Sequence, residues 1–376
     1  MDISMTGTRA TDEVRARPRT DPKGLLGAVF VLGGAMMSLT GMVWDIQWHN
    51  DVGPDTFFTA PHLVLYAGSA VAGIASLVVV LATTMAERRG RPVDPTVGGT
   101  AVGVFGRTFA APVGYLISGV GAALFLVYGL LDERWHRLYG FDVVIESPPH
   151  IGFLLAITLT MVGAVMVSAA ALGKRWGEIT TVMGLALLLG FDSIVVEGLN
   201  AFGLGAVDLR TAGISFVSVL PLVVGARLLG RPGGAIGIAL ILAALQALYW
   251  WFGPWATRLY ADAIGQPFRD DPVGVPMVPA LIPMTLLPVA ALVGPLLARA
   301  RDNGRLAMVV GGIGGLVITV TAAGQSMLLL GEGAFDELPV MIATAAAGTA
   351  VGVAAGFLGV RFAEILRSLA PAGEGR

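Results

Sequence analysis

"GLLGAVFVLGGAMMSLTGMVWDIQWHNDVGPDTFFTAPHLVLYAGSAVAGIASLVVVLATT", residues 24–84, decides how the whole chain is read. Two apolar runs, 24–46 and 62–84, flank a short segment that carries Asp45, His49, Asp55 and His62 at or between their ends. A hydrocarbon core about 30 Å thick needs about 20 apolar residues per helix. The stretch therefore predicts a helical hairpin that crosses a membrane and returns, with acids and imidazoles at its tip.

The rest of the chain extends this pattern. Of 376 residues, 55% are hydrophobic and 13% charged, and the mean hydropathy is +0.77; soluble domains carry about 25% charged residues. Eight further apolar runs fall at 108–131, 150–172, 179–198, 212–229, 234–252, 276–298, 306–330 and 339–360. The fold class expected is an all-α polytopic membrane protein of about ten transmembrane helices. Alternate connections hold 19 of the 24 Lys and Arg residues, and the opposite set holds 5. By the positive-inside rule this puts both termini in the cytoplasm and the His-bearing segments on the extracytoplasmic side of the cell membrane. Residues 1–23, with five basic residues, read as a cytoplasmic tail. Residues 24–172 read as a four-helix repeat, and 173–376 as a six-helix region of unassigned role. The first apolar run is longer than a signal-peptide h-region of about 7–15 residues and lacks a small-residue cleavage site. There is no cysteine, which excludes disulfides, iron–sulfur clusters and thiolate metal sites. Net charge is −2, and no basic patch points to nucleic acid.

A second segment, "LDERWHRLYGFDVVIESPPH" at 131–150, repeats the chemistry of the first. Asp45, Trp48, His49, Asp55 and His62 correspond to Asp132, Trp135, His136, Asp142 and His150. Asp to first His is four residues in both copies, and His to His is thirteen in one and fourteen in the other. Residues four apart share a helix face, so each Asp and first His converge. Pro61 and Pro149 suit the first turn of a returning helix, which each second His would open. Any one of these histidines alone reads equally as an interfacial residue. All four histidines of the chain falling into two matched sets point instead to metal ligation by Asp45/His49/His62 and Asp132/His136/His150. An Asp/His/His set with an open position suits a transition metal that still accepts solvent, oxygen or substrate. Asp55 and Asp142 are candidates for orienting the ligands or bridging two metals.

At these residues the chain resembles the C subunit of the particulate methane monooxygenase and ammonia monooxygenase family. That family carries a D-x3-H-x12-H motif within a W-H…D-T-x-F-T…H pattern, matched here by "DIQWHNDVGPDTFFTAPH". Its second motif, N-x3-H-x13-H ending P-x-H-x-G-F, is matched by Asp132, His136 and His150 and the ending "PPHIGF", with Asp in the place of Asn. The resemblance covers about residues 40–155. It implies one or two copper sites near the outer face, oxygen-dependent hydroxylation of a very small substrate, and partner membrane subunits.

Elsewhere Asp192, Glu197 and Asn200 interrupt the fifth run. Intramembrane acids are costly and are functional candidates, so Glu197 and Asn200 read as outer partners of the site, or as an interfacial end, and Asp192 as a proton group or an interhelix hydrogen bond. Met36, Met37 and Met42 read as core packing or as a soft route for Cu(I). Trp44, Trp48, Trp135 and "YWWFGPW" (249–255) read as an interfacial aromatic belt, and segment 253–275 as a lid. Gly348, Gly352 and Gly356 mark a close helix-packing face, internal or between copies of the chain. The function expected is a membrane copper protein, a component of a monooxygenase. The alternatives are a copper or other metal transporter and a zinc-dependent membrane hydrolase.

Overall fold

A computed structural model describes residues 23–53, 55–140, 145–270, 274–299, 304–331 and 337–371. The chain is all-α apart from one two-stranded hairpin. Its helices are α1 (Leu25–Asp51), α2 (Ala60–Arg88), α3 (Val113–Tyr139), α4 (Pro148–Ala169), α5 (Arg175–Val195), α6 (Leu209–Leu229), α7 (Gly233–Ile264), α8 (Met277–Leu281), α9 (Leu286–Arg299), α10 (Gly304–Leu330) and α11 (Leu338–Leu369). Among the described residues nine of these, all but α8 and α9, are long and apolar enough to cross a membrane. The chain is a multi-pass membrane protein in contact with the bilayer. The basic tail expected at 1–23 lies outside the described residues except for Lys23.

Two hydrophobic cores meet at α5. Leu187, Leu188 and Phe191 join the core formed with α1 to α4, and Leu185 and Leu189 join the core formed with α6, α7, α9, α10 and α11. A helix apolar on every side belongs in the middle of a bundle. By contrast α2 and α3 leave Ile74, Leu77, Val78, Leu126, Val127 and Leu130 exposed, as lipid-facing helices do.

The duplication extends into the packing of the two hairpins, which composition alone did not reveal. A Cβ on Gly34 of α1 would lie 2.6 Å from Gly68 O and 2.8 Å from Ala72 N of α2. A Cβ on Gly121 of α3 would lie 2.7 Å from Ala156 O and 2.5 Å from Thr160 N of α4. These positions correspond under the offset that relates the Asp/His sets. Two turns nearer the tip the copies diverge. Gly41 of α1 faces Leu65, whereas the corresponding Tyr128 of α3 is the large residue and faces Gly152.

The structure departs from the expected spans in two places. The run 276–298 is not one helix: α8 ends at Leu281 and α9 starts at Leu286. Pro283 has no N–H to carry the ladder across the gap. Non-helical backbone at membrane depth must be satisfied by protein groups, and two glutamines do this. Gln246 Nε2 donates to Pro279 O (2.8 Å) and Ile282 O (2.9 Å). Gln325 Nε2 donates to Ala280 O and to Ile282 O (2.8 Å), while its Oε1 accepts from Met284 N (2.8 Å). Gln325→Leu is expected to lower stability in detergent by on the order of 2 kcal/mol, because backbone groups lose their partner; thermal unfolding followed by circular dichroism reads the shift. Secondly, the span expected at 108–131 begins with strand. β1 (Ala101–Val104) pairs antiparallel with β2 (Phe109–Pro112), and α3 starts only at Val113. The Gly-rich approach to that helix forms a turn with Gly106 at φ 64°.

Candidate metal centre

The first cluster is built where α1 outruns its apolar stretch. The helix continues through Asp51, which sets Asp45 and His49 one turn apart on the face turned towards α2. Gly53, at φ 112°, turns the chain. Thr59 then organises the return: its Oγ1 accepts from Thr56 N (2.7 Å) and donates to Thr56 O (2.8 Å). Pro61 lies in the first turn of α2, and His62 follows it. The second cluster repeats the plan, with Asp132 and His136 near the end of α3, Gly140 at φ 86° closing that helix, and Pro148 and Pro149 opening α4 before His150.

These elements bring the expected donors together. In the first cluster His62 Nε2 lies 3.0 Å from Asp45 Oδ1 and 3.1 Å from Asp55 Oδ2. His49 Nε2 lies 3.4 Å from Asp55 Oδ2 and 3.8 Å from Asp45 Oδ1. In the second, Asp132 receives both imidazoles, His150 Nε2 at 3.0 Å and His136 Nε2 at 3.3 Å. Asp55 stands among the donors rather than behind them, and its side chain is fully buried. Burial pushes its carboxyl up to about 6, against the opposing pull of His62 and His49. Asp142 lies outside the described residues. Within each cluster one donor atom per residue lies within 4.8 Å of every other. Donors on one ion at about 2.1 Å lie no more than about 4.2 Å apart, so small side-chain adjustments close either set.

The orientation of the rings says what such a set holds. His49 Nδ1 lies 3.1 Å from Gly53 O, His62 Nδ1 3.0 Å from Thr56 O, and His136 Nδ1 3.4 Å from Gly140 O. A carbonyl oxygen only accepts, so each Nδ1 carries the proton and donates it. A neutral ring then turns the lone pair of Nε2 towards the carboxylates, and a charged ring turns a second N–H there. Asp45 Oδ1, both oxygens of Asp55 and Asp132 Oδ1 are buried without a hydrogen-bond donor, although imidazole nitrogens stand about 3 Å away from them. Two lone pairs facing at that distance repel unless a cation, or an extra proton on the ring, sits between them. Backbone carbonyls fixing Nδ1 while Nε2 points inward is the arrangement by which proteins orient metal-binding histidines. Gly53 and Gly140 also correspond under the repeat. Sequence spacing contained that signal, but the carbonyl of a turn glycine draws no notice until the helix ends are located.

Both clusters line one cavity of about 470 Å³. Its floor is apolar, with Met42, Leu65, Phe125 and Leu154, and Glu197 and Asn200 lie in its wall. Glu197 Oε2 is 3.5 Å from Arg210 Nη1, so the acid that was expected to serve the site also holds an ion pair. Asp192 is not part of the cavity; it accepts from Thr158 Oγ1 at 2.8 Å between α5 and α4, the interhelix hydrogen bond. Of the methionines, Met42 reaches the cavity, and Met36 Sδ accepts from Tyr249.

Two expectations about the surroundings change. Trp48 does not lie in an interfacial belt: it is 1% exposed and packs on Tyr260 with ring centroids 5.0 Å apart. Trp251 and Trp255, stacked at 5.2 Å, do face outward. Segment 253–275 is mostly not loop, because α7 runs on to Ile264. Beyond it, Arg269 N donates to Asp51 O (2.8 Å) and its side chain borders the cavity. No protein-family model, curated protein or solved structure matches this chain.

Proposed function

We propose that the chain is an integral membrane metal protein that binds one transition-metal ion in each Asp/His cluster, and that the metal is copper. The observation that carries this reading is the convergence of imidazole Nε2 atoms on buried carboxylates in both clusters, while the Nδ1 atoms of His49, His62 and His136 face backbone carbonyls. Asp45, His49, Asp55 and His62 hold one ion, and Asp132, His136 and His150 the other. Thiolates are absent, and imidazole with carboxylate suits copper(II). The basic-residue asymmetry supports placing the clusters at the extracytoplasmic face of the cell membrane.

Copper supplies one-electron chemistry and O₂ activation when bound. The side chains of this chain fix the donors and leave about 470 Å³, above an apolar floor, for a small molecule. Together with the motif resemblance to the C subunit of the methane and ammonia monooxygenases, this supports a role as a component of a copper-dependent monooxygenase, with partner membrane subunits. The four donors of the first cluster favour a second reading for that site alone, a closed tetrahedral zinc ion. A transport role draws no specific support from the cavity, whose floor is formed by Met42, Leu65, Phe125 and Leu154.

Metal analysis with X-ray absorption on the purified chain tests the proposal. The expected result is two ions per chain, with copper edges and nitrogen/oxygen ligation. Zinc at both positions removes the copper reading, and protein that remains metal-free after copper and zinc are offered removes metal binding altogether.

A further inference from the structure

Tyr66 is a cavity-lining residue with no counterpart in the second copy. It lies four residues after His62, one helical turn along α2, whereas the residue four after His150 is Leu154. Its ring is held on three sides. It stacks on His62 with centroids 5.9 Å apart and an interplanar angle of 27°, and it packs on Phe57 at 5.0 Å and Phe125 at 6.0 Å. The residue comes from the first hairpin, yet it lines the cavity that Asp132, His136 and His150 of the second cluster also line. Tyr66 is the one phenol that lines this cavity among the described residues. Its ring is fixed by packing. Its hydroxyl, a hydrogen-bond donor, makes no hydrogen bond among the described residues.

We propose that the Tyr66 hydroxyl donates a hydrogen bond to a small acceptor ligand, an anion or an oxygen-donor molecule, held in the cavity between the two clusters. This rests on the metal-binding reading above and assigns the cavity a ligand class. The ligand lies against the metal positions and accepts from the Tyr66 hydroxyl, beside Asn50, whose Nδ2 is a buried donor without a partner at the same cavity. The asymmetry follows from the sequence: the first hairpin supplies the donor and the second supplies a leucine at the matching position.

The test uses the full chain in detergent, loaded with copper(II), with azide as the probe and its azide-to-copper charge-transfer absorption as the readout. Tyr66→Phe keeps the ring stacked on His62 and removes only the hydroxyl. The expected result is unchanged copper content and azide affinity lowered about tenfold, the loss of one hydrogen bond. Tyr128→Phe, which alters a tyrosine outside the cavity lining, leaves azide affinity unchanged. Azide affinity in Tyr66→Phe within about twofold of the parent overturns the proposal. So does loss of copper from that variant, which makes Tyr66 a support for His62 instead, and so does a copper-loaded parent that takes no azide. A parent that binds no metal fails at the earlier step and is told apart from these outcomes by metal analysis alone.

Discussion

A chain carrying His49→Ala and His62→Ala holds one metal ion where the parent holds two. The two imidazoles face the same pair of carboxylates, with His62 Nε2 3.0 Å from Asp45 Oδ1 and His49 Nε2 3.4 Å from Asp55 Oδ2. Their removal leaves Asp45 and Asp55 as the only donors of that cluster. Loss of a supporting outer partner costs about 10–100-fold in metal affinity, and loss of two direct donors exceeds that range, so the site empties at ordinary metal concentrations. Asp132, His136 and His150 form their own set and keep their ion. Metal content per chain, measured after dialysis, reads the result directly; a double variant that retains two ions removes the assignment of these ligands. Acid acts on the same site in a fixed direction. Metal ligands must be deprotonated, and the Asp55 carboxyl, raised by burial, takes up its proton as pH falls through about 6. Protonation of Asp55 therefore lowers affinity at the first cluster as pH falls through about 6, and a metal-competition titration at several pH values follows the decline.

The second large effect is expected far from the donors. Gly34→Leu would place a Cβ 2.6 Å from Gly68 O and 2.8 Å from Ala72 N, and backbone cannot step aside as a flexible side chain does. Overpacking a core costs about 1–3 kcal/mol when side chains can adjust; here α1 and α2 must separate, and the cost is expected to reach the top of that range or exceed it. Gly33→Leu is the control. It is the neighbouring residue, it has nothing within 4 Å of its Cβ, and replacing a helical glycine improves helix propensity. Gly34 lies eleven residues from Asp45, about 16 Å along the helix. Metal loss in Gly34→Leu alongside full metal in Gly33→Leu therefore shows that α1–α2 packing positions the donors. Equal thermal stability of the two variants removes the close approach as a determinant of the fold.

Much of this site was legible because its spacing obeys local geometry. Asp45 with His49 and Asp132 with His136 need only one helical turn to converge, and proline before His62 and His150 marks where the returning helix starts. The convergence of Asp55 on the same cluster was not legible at that level, since it depends on the path of the turn between Gly53 and Thr59. The shared cavity depends on long-range packing, and in the sequence it was an inference from the repeat. Trp48 illustrates a second kind of limit. Near the end of an apolar run, tryptophan suits the membrane interface and a packed core equally, and only the extension of α7 to Ile264, which brings Tyr260 against it, decides between them. The break between α8 and α9 was hidden because hydropathy registers apolar residues and is blind to a missing N–H. Pro283 was visible, but the glutamines that make its gap tolerable come from α7 and α10, which no local reading connects to it.

The opposed sizes at the hairpin necks, Gly41 against Leu65 and Tyr128 against Gly152, make the two halves of the duplication non-interchangeable. A chimera that put α4 beside α1 would bring Phe153, the match of Leu65, against Gly41, where the backbones already lie too close for a Cβ. One that put α2 beside α3 would drive Val64, the match of Gly152, into the Tyr128 ring. Each outgoing helix thus recognises its own returning partner by shape, and a chain bearing twin motifs carries, a turn or so deeper in each hairpin, the lock that keeps the twins from being mispaired.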